Sequence, residues 1–230
     1  NPKLRGQAKR RSSLYPLGQV PDSVAIGVGR GLAHRMAVGF KDITGDDFGV
    51  IFAAAISGNH RGKPLGVADV SWENCAWSVK TVQAKLPFTA SLIRVISGRN
   101  DVQYSCAIKD PFANIEETGA AVLSIWNARV DEALSEFEDL RIMILIRCMG
   151  RREFVLFEEE AARFVPENYT WEVNKDNNFI GRDRRTKRHC FTWQSGGRQF
   201  TILREIPAYA YRFRITRQPS LIEEKHIMNL

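Results

Sequence analysis

Asp69, Ser78 and Lys80 are the residues of this chain whose types and spacing could do chemistry. Eight residues separate Asp69 from Ser78, and Lys80 follows two places later. Hydrolysing a phosphodiester requires carboxylate oxygens for a divalent cation, a positioned water and a cation near the scissile phosphate. A strand hairpin can supply such groups. LGVADVSW at 65–72 reads as one strand, Glu73-Asn74-Cys75 as a turn and AWSVKTV at 76–82 as the second strand. Side chains repeat along a strand with period two, so Ser78 and Lys80 share one face. The turn at 73–75 then brings Asp69 opposite them. Gly45-Asp46-Asp47 precedes FGVIFAAAI, which reads as a helix over 46–57 with an acidic first turn. From that helix Asp46 or Asp47 could add a carboxylate.

The remaining elements must hold that group in place. SGNHRGKP at 57–64 reads as a loop, with His60 in it, LPFTASLIRVISG at 86–98 as a helix closed by Gly98, and DVQYSCAI at 101–108 as an alternating strand. Residues 114–137 form the clearest helix, with apolar positions recurring at three and four residues. LRIMILIRC at 140–148 is a continuous apolar run bounded by charge, as suits a fully buried strand, and EFVLFE at 153–158 follows as another. Beyond 160 the pattern is aromatic, polar and basic, with strands expected in FTWQSGGRQFTIL and YAYRFRI. The core order is helix, strand, strand, strand, helix, strand. That predicts a mixed α/β fold, a central sheet flanked by helices, with a β-rich C-terminal elaboration. Residues 1–20 read as a basic mobile arm, 21–39 as a glycine-punctuated stretch of ambiguous type, and 21–230 as a single domain with its core at about 40–150.

Composition narrows the function. The chain has 230 residues and a formal net charge of +7, which favours polyanions such as nucleic acid. Cys75, Cys106, Cys148 and Cys190 lie far apart without a CxxC pair, which suits reduced thiols in a cytoplasm rather than a zinc site or disulfide frame. No apolar run reaches the roughly 18 residues of a membrane span, and the basic start NPKLRGQAKRR has no apolar segment behind it. His34, His60, His189 and His226 show no metal-ligand spacing. Gly27-Val28-Gly29-Arg30-Gly31 lacks the preceding strand and the lysine of a phosphate-binding loop. Trp72, Trp77 and Trp126 read as core.

With Asp69, eight intervening residues and Ser78-Val79-Lys80 on adjacent strands of that core, the chain resembles the PD-(D/E)xK nuclease superfamily, and within it the type II restriction endonucleases. The resemblance covers roughly residues 40–150. It implies that Asp69 binds metal and that Lys80 stabilises charge or positions the attacking water. Ser78 stands where most members have Glu or Asp, so the second acid would come from Asp46, Asp47 or Asp101. Pro21-Asp22 with Ser78-Val79-Lys80 is a second, longer spacing that some restriction enzymes use, although Asp22 falls in no convincing strand. The implied activity is Mg²⁺-dependent, sequence-specific cleavage of double-stranded DNA leaving 5′-phosphates. A palindromic target would call for a homodimer. A repair, recombination or mobile-element nuclease of the same fold is the nearest alternative, and a catalytically degenerate DNA-binding module the other.

DNA contacts are expected in two places. Arg94, Arg99 and Asn100 lie beside the hairpin and could clamp a phosphate, or could simply close a helix C-terminus. The segment 181–200 carries Arg182, Arg184, Arg185, Lys187 and Arg188 ahead of Gln194, Arg198 and Gln199. Arg184 and Arg185 are candidates for phosphate, and Gln194, Arg198 and Gln199 for base edges or phosphate. A basic surface loop followed by an ordinary strand is the plainer reading of the same residues.

Overall fold

The computed structural model describes residues 13–222. It opens with two helices, α1 (Asp22–Ala37) and α2 (Gly45–Ile56), and a meander of β1 (Asn59–Leu65), β2 (Ala68–Trp72) and β3 (Cys75–Gln83). Next come β4 (Leu92–Arg99), the short α3 (Val102–Cys106), the long α4 (Ile115–Leu134), β5 (Asp139–Cys148) and β6 (Glu153–Glu160). The C-terminal part is β7 (Tyr169–Val173), β8 (Asn178–Asp183), β9 (His189–Gln194), β10 (Gln199–Glu205) and β11 (Tyr211–Arg214). The result is a mixed α/β fold with two sheets, ordered β1-β2-β3-β5-β6-β11 and β4-β10-β9-β8-β7. Among the described residues no helix is long and apolar enough to cross a membrane.

The first sheet turns on one parallel pair. β3 and β5 run side by side from Cys75↔Asp139 to Gln83↔Arg147, whereas the other ladders are antiparallel. A parallel pair needs a long crossover, and here the crossover contains β4, α3 and α4. Two apolar clusters divide this sheet by face. Trp77, Val79, Met143 and Leu145 pack with Phe48 and Phe52 of α2 and with α1. On the other face, Ala76, Ile142 and Ile144 pack toward Trp126 and Val130 of α4 and the inner side chains of the second sheet, such as Phe179 and Phe200. The layers are therefore α1 with α2, the first sheet, and then α4 with the second sheet.

Several expectations need correction. Residues 21–39, ambiguous in sequence, contain α1, whose glycines allow close helix packing: a Cβ on Gly27 or Gly31 would run into Ala55 or Ile51 of α2. The expected loop 57–64 is largely β1, paired with β2 through Asn59↔Ser71 and His60↔Val70. The expected helix 86–98 is instead β4. There Ile93, Val95 and Ser97 are buried while Leu92, Arg94 and Ile96 are exposed, a period of two that β-branched residues favour. Gly98 caps no helix but sits at φ +122 where the β4–β10 register shifts. Residues 101–108 hold α3 rather than a strand, because the Asp101 side chain accepts from Tyr104 N at 3.1 Å and starts a helical turn. Residues 1–12 of the expected arm lie outside the described residues. Residues 13–20, assigned to the same arm, pack on the domain through the buried Tyr15.

A buried charge cluster makes that attachment. Arg141 on β5 is 1% exposed and Glu158 on β6 is 0% exposed, and they pair at 2.7 Å. Arg141 also donates to Asp139 and to the Tyr15 carbonyl, while Glu158 accepts from Trp77 Nε1, Gly18 N and the Tyr15 hydroxyl. Burial lowers the affinity of the Arg141 guanidinium for its proton, but its bonds to Asp139 and the Glu158 charge outweigh that and raise it. Burial, followed by the Glu158 charge, pushes the Tyr15 phenol up. Removing one member leaves the other charged and dry. Glu158→Ala should therefore cost about 3–5 kcal/mol, read as a lowered urea midpoint. A loss under about 1 kcal/mol would mean that the cluster relaxes into solvent.

Candidate active site

The chemistry expected of the β2–β3 hairpin depends on how its strands meet. They are joined by Glu73-Asn74, with Glu73 at φ 48, and pair as Trp72↔Cys75, Ser71↔Ala76 and Val70↔Trp77. Beyond Val70 the backbone ladder stops, and the Asp69 side chain takes its place. Asp69 Oδ2 accepts from the backbone N–H of Val79 at 2.8 Å, from Lys80 Nζ at 3.3 Å and from Ser78 Oγ at 3.4 Å. Ser78 and Lys80 share a face, as period two requires, beside Ile142 and Ile144 of β5. Ser78 is fully buried, whereas the Asp69 and Lys80 side chains are 23% and 20% exposed. At the other end of β2, Gly66 (φ +58) lies so close to α4 that a Cβ would meet the Arg129 carbonyl at 2.0 Å. Only glycine fits there, which fixes the hairpin against α4.

The acids of α2 do not join this group. Trp77 and Val79 point toward α2, so Ser78, Lys80 and their partner Asp69 point to the opposite face of the sheet. Asp47 is occupied by a capping box with Thr44 and an ion pair with Arg35 at 3.0 Å. The Thr44 backbone N–H, chiefly, holds its carboxyl below the usual range. Asp46 faces His60 Nε2 of β1 at 3.3 Å. Asp101 caps α3 and pairs with Arg198. Asp22, of the longer spacing, lies in the first turn of α1 rather than on a strand. Among the described residues no group of three or more His, Cys, Asp or Glu could hold a metal ion.

The expected DNA contacts divide in the same way. Arg94 and Arg99 are exposed on β4. Asn100 is fully buried: it donates to the Val122 carbonyl, accepts from Arg129 and, through its backbone carbonyl, from Trp193 Nε1. It is a structural knot, not a phosphate ligand. Arg184 is exposed but donates to the Glu167 and Tyr169 carbonyls, while Arg185 is exposed beside it. Gln194 and Gln199 end β9 and open β10 as direct cross-strand partners. Arg198, in the turn between them, is turned away onto Asp101 and Gln103. Nothing in the sequence marks Asn178, which pairs with Gln194 across β8–β9, because that neighbourhood exists only through the strand register.

Family models, curated proteins and solved structures were searched, and none matches this chain.

The bond from Val79 to Asp69 has a stability consequence that is separate from any reaction. Asp69→Ala strands a partly buried N–H and should cost about 1–3 kcal/mol in chemical denaturation. Asp69→Asn keeps a carbonyl oxygen for the same N–H and should cost clearly less. Equal losses in the two variants would show that the carboxylate charge, not the hydrogen bond, holds the strands together.

Proposed function

We propose that this chain is a Mg²⁺-dependent endonuclease of double-stranded DNA, with a PD-(D/E)xK-like core and Asp69 and Lys80 at its centre. The observation that supports it most is the Asp69–Lys80 pair, 3.3 Å apart on adjacent strands of a helix, meander, helix, strand order. In that order α2, β1, β2, β3, α4 and β5 would be the core, and β4 with β7–β10 the elaboration.

The donor set suits Mg²⁺ in a limited way. Asp69 Oδ1 has no protein donor among the described residues, and Mg²⁺ is commonly held by one or two carboxylates with water and a substrate phosphate completing its shell. Asp69 would hold the ion, which when bound supplies charge neutralisation and a more acidic water. Lys80 presents a compact ammonium to the negative charge that grows on the phosphate as water attacks phosphorus. Breaking the bond to the 3′ oxygen leaves a 5′-phosphate. Ser78 donates to Asp69 Oδ2 and adds no charge, so Asp69 is the one carboxylate on the paired strands β2 and β3. Cleaving both strands of a palindromic site would require a two-fold dimer.

A DNA-binding module without activity is the second reading, favoured by Ser78 and by the placement of Asp46 and Asp47 on the other face of the sheet. Plasmid cleavage separates the two. With Mg²⁺ the wild type should cut supercoiled plasmid and leave 5′-phosphates, and Asp69→Asn and Lys80→Ala should each lose roughly 10²-fold or more in rate. Wild-type rates in both variants would remove the site from this hairpin. Binding without cleavage by the wild type would leave the module.

Non-specific affinity gives a separate prediction. Arg185→Ala should reduce the salt dependence of duplex binding by about 0.9 in slope, the value of one phosphate contact. An unchanged slope would make the 184–188 loop a merely solvated one.

A further inference from the structure

The strand beside Asp69 does not run straight. β1 and β2 pair at Leu65↔Ala68, across the turn Gly66-Val67, and meet again at His60↔Val70. Between those pairs β2 has one residue, Asp69, whereas β1 has four, Arg61-Gly62-Lys63-Pro64. Three residues of β1 are therefore surplus, and they bulge out of the ladder next to Asp69. Bulges gather at sheet edges and beside active sites, where they re-aim side chains. β1 is an edge strand of the first sheet, so no further strand covers this bulge. A Cβ built on Gly62 would meet nothing within 4 Å, and Gly62, Lys63 and Pro64 are all exposed.

The root of the bulge is fixed on both faces of the sheet. His60 Nε2 meets Asp46, at the start of α2, at 3.3 Å. Arg61 turns the other way, pairs with Glu136 at 2.5 Å and lies over the Phe137 ring at 5.3 Å. Pro64 closes the far end with a fixed φ and no N–H to donate to the ladder. The middle, Gly62-Lys63, is left open. Glu136 matches the charge of Arg61, but Lys63 has no acidic partner among the described residues. Asp69 thus lies between two strands that each carry an ammonium group, Lys80 on β3 and Lys63 on the β1 bulge. The two strands are two spacings apart, roughly 10 Å.

We infer that the β1 bulge is a phosphate clamp. Lys63, beside the open backbone at Gly62, holds a phosphate near the scissile one and so lays the DNA strand across Asp69 and Lys80. A lysine serves here as a compact point charge for phosphate. Glycine at 62 lets the nucleic-acid backbone approach the chain closely. Lys63 touches no reacting atom and is a positioning residue. The assignment rests on the nuclease reading for its substrate, and on the register of β1 for its place.

The test pairs cleavage kinetics with binding. On plasmid DNA with Mg²⁺, Lys63→Ala should raise KM about 10-fold or more, the loss of one charge-assisted contact. Its kcat should stay within about twofold, because the contact is made equally in ground and transition states. Lys63→Arg should recover most of the affinity, since arginine also holds phosphate. In EDTA the salt slope of duplex binding should fall by about 0.9 in Lys63→Ala. Random ethylation of phosphates in an end-labelled fragment locates the contact. Ethylation close to the cut should inhibit the wild type and have no effect there on Lys63→Ala. Thermal melts of both variants should match the wild type, because Lys63 is exposed. An unchanged KM and slope in Lys63→Ala, or one ethylation pattern shared by variant and wild type, would overturn the clamp. Absence of cleavage by the wild type would sink the nuclease reading, and the salt slope alone would then decide whether Lys63 holds phosphate.

Discussion

The period-two alternation of β3, locked by its parallel pairing with β5, is the constraint from which the rest of the molecule follows. Trp77 and Val79 face α1 and α2, in one apolar cluster with Met143, Leu145, Phe154 and Leu156 of the neighbouring strands. Ser78 and Lys80 then face the other way, and the hairpin register delivers Asp69 to the same side. A slip of one residue would bury Lys80 under α2 and turn Trp77 into the packed face under α4, at a cost far beyond what one hairpin can absorb. The acids at the start of α2 are separated from Lys80 for the same reason. The sheet lies between them.

Polar groups inside this fold are tied in closed sets. Arg141 and Glu158 sit dry in the first sheet and gather Tyr15, Gly18, Trp77 and Asp139 around them. Asn100 does similar work between α4 and the second sheet, linking Val122, Arg129, Trp193 and Arg198. Each set joins segments far apart in sequence, and each would be costly to open in part. The consequence for function is rigidity: α4, the hairpin and the β9–β10 tip are held by one connected body of side chains rather than by separate loops.

Much of the first sheet was legible in the sequence, and so was the Asp69–Lys80 pair. The run LRIMILIRC has one sensible use, a strand buried on both faces, and the spacing from Asp69 to Lys80 fits a hairpin with a turn at 73–75. The second sheet was harder to see. LIRVISG serves as well for a helix as for a strand until β10 pairs with it, and DVQYSC alternates although Asp101 turns it into helical capping. Asn100 and Arg198 look like ligands in a list of polar residues, yet both are consumed by contacts more than twenty residues away in sequence. Ser78 was marked as the departure from the nuclease pattern, but that no acid of α2 compensates for it depends on which face of the sheet each residue occupies.

The central claim is that a divalent ion sits at Asp69 beside Lys80. Paramagnetic broadening by Mn²⁺ tests it directly, with a nuclease-resistant phosphorothioate duplex bound to the full chain and backbone amides followed by NMR. The amides of Asp69, Val70, Val79 and Lys80 should broaden first, and Asp69→Asn should abolish the effect while those of Asp46 and Asp47 stay sharp throughout. Broadening centred on the start of α2, or unchanged by Asp69→Asn, would contradict the account.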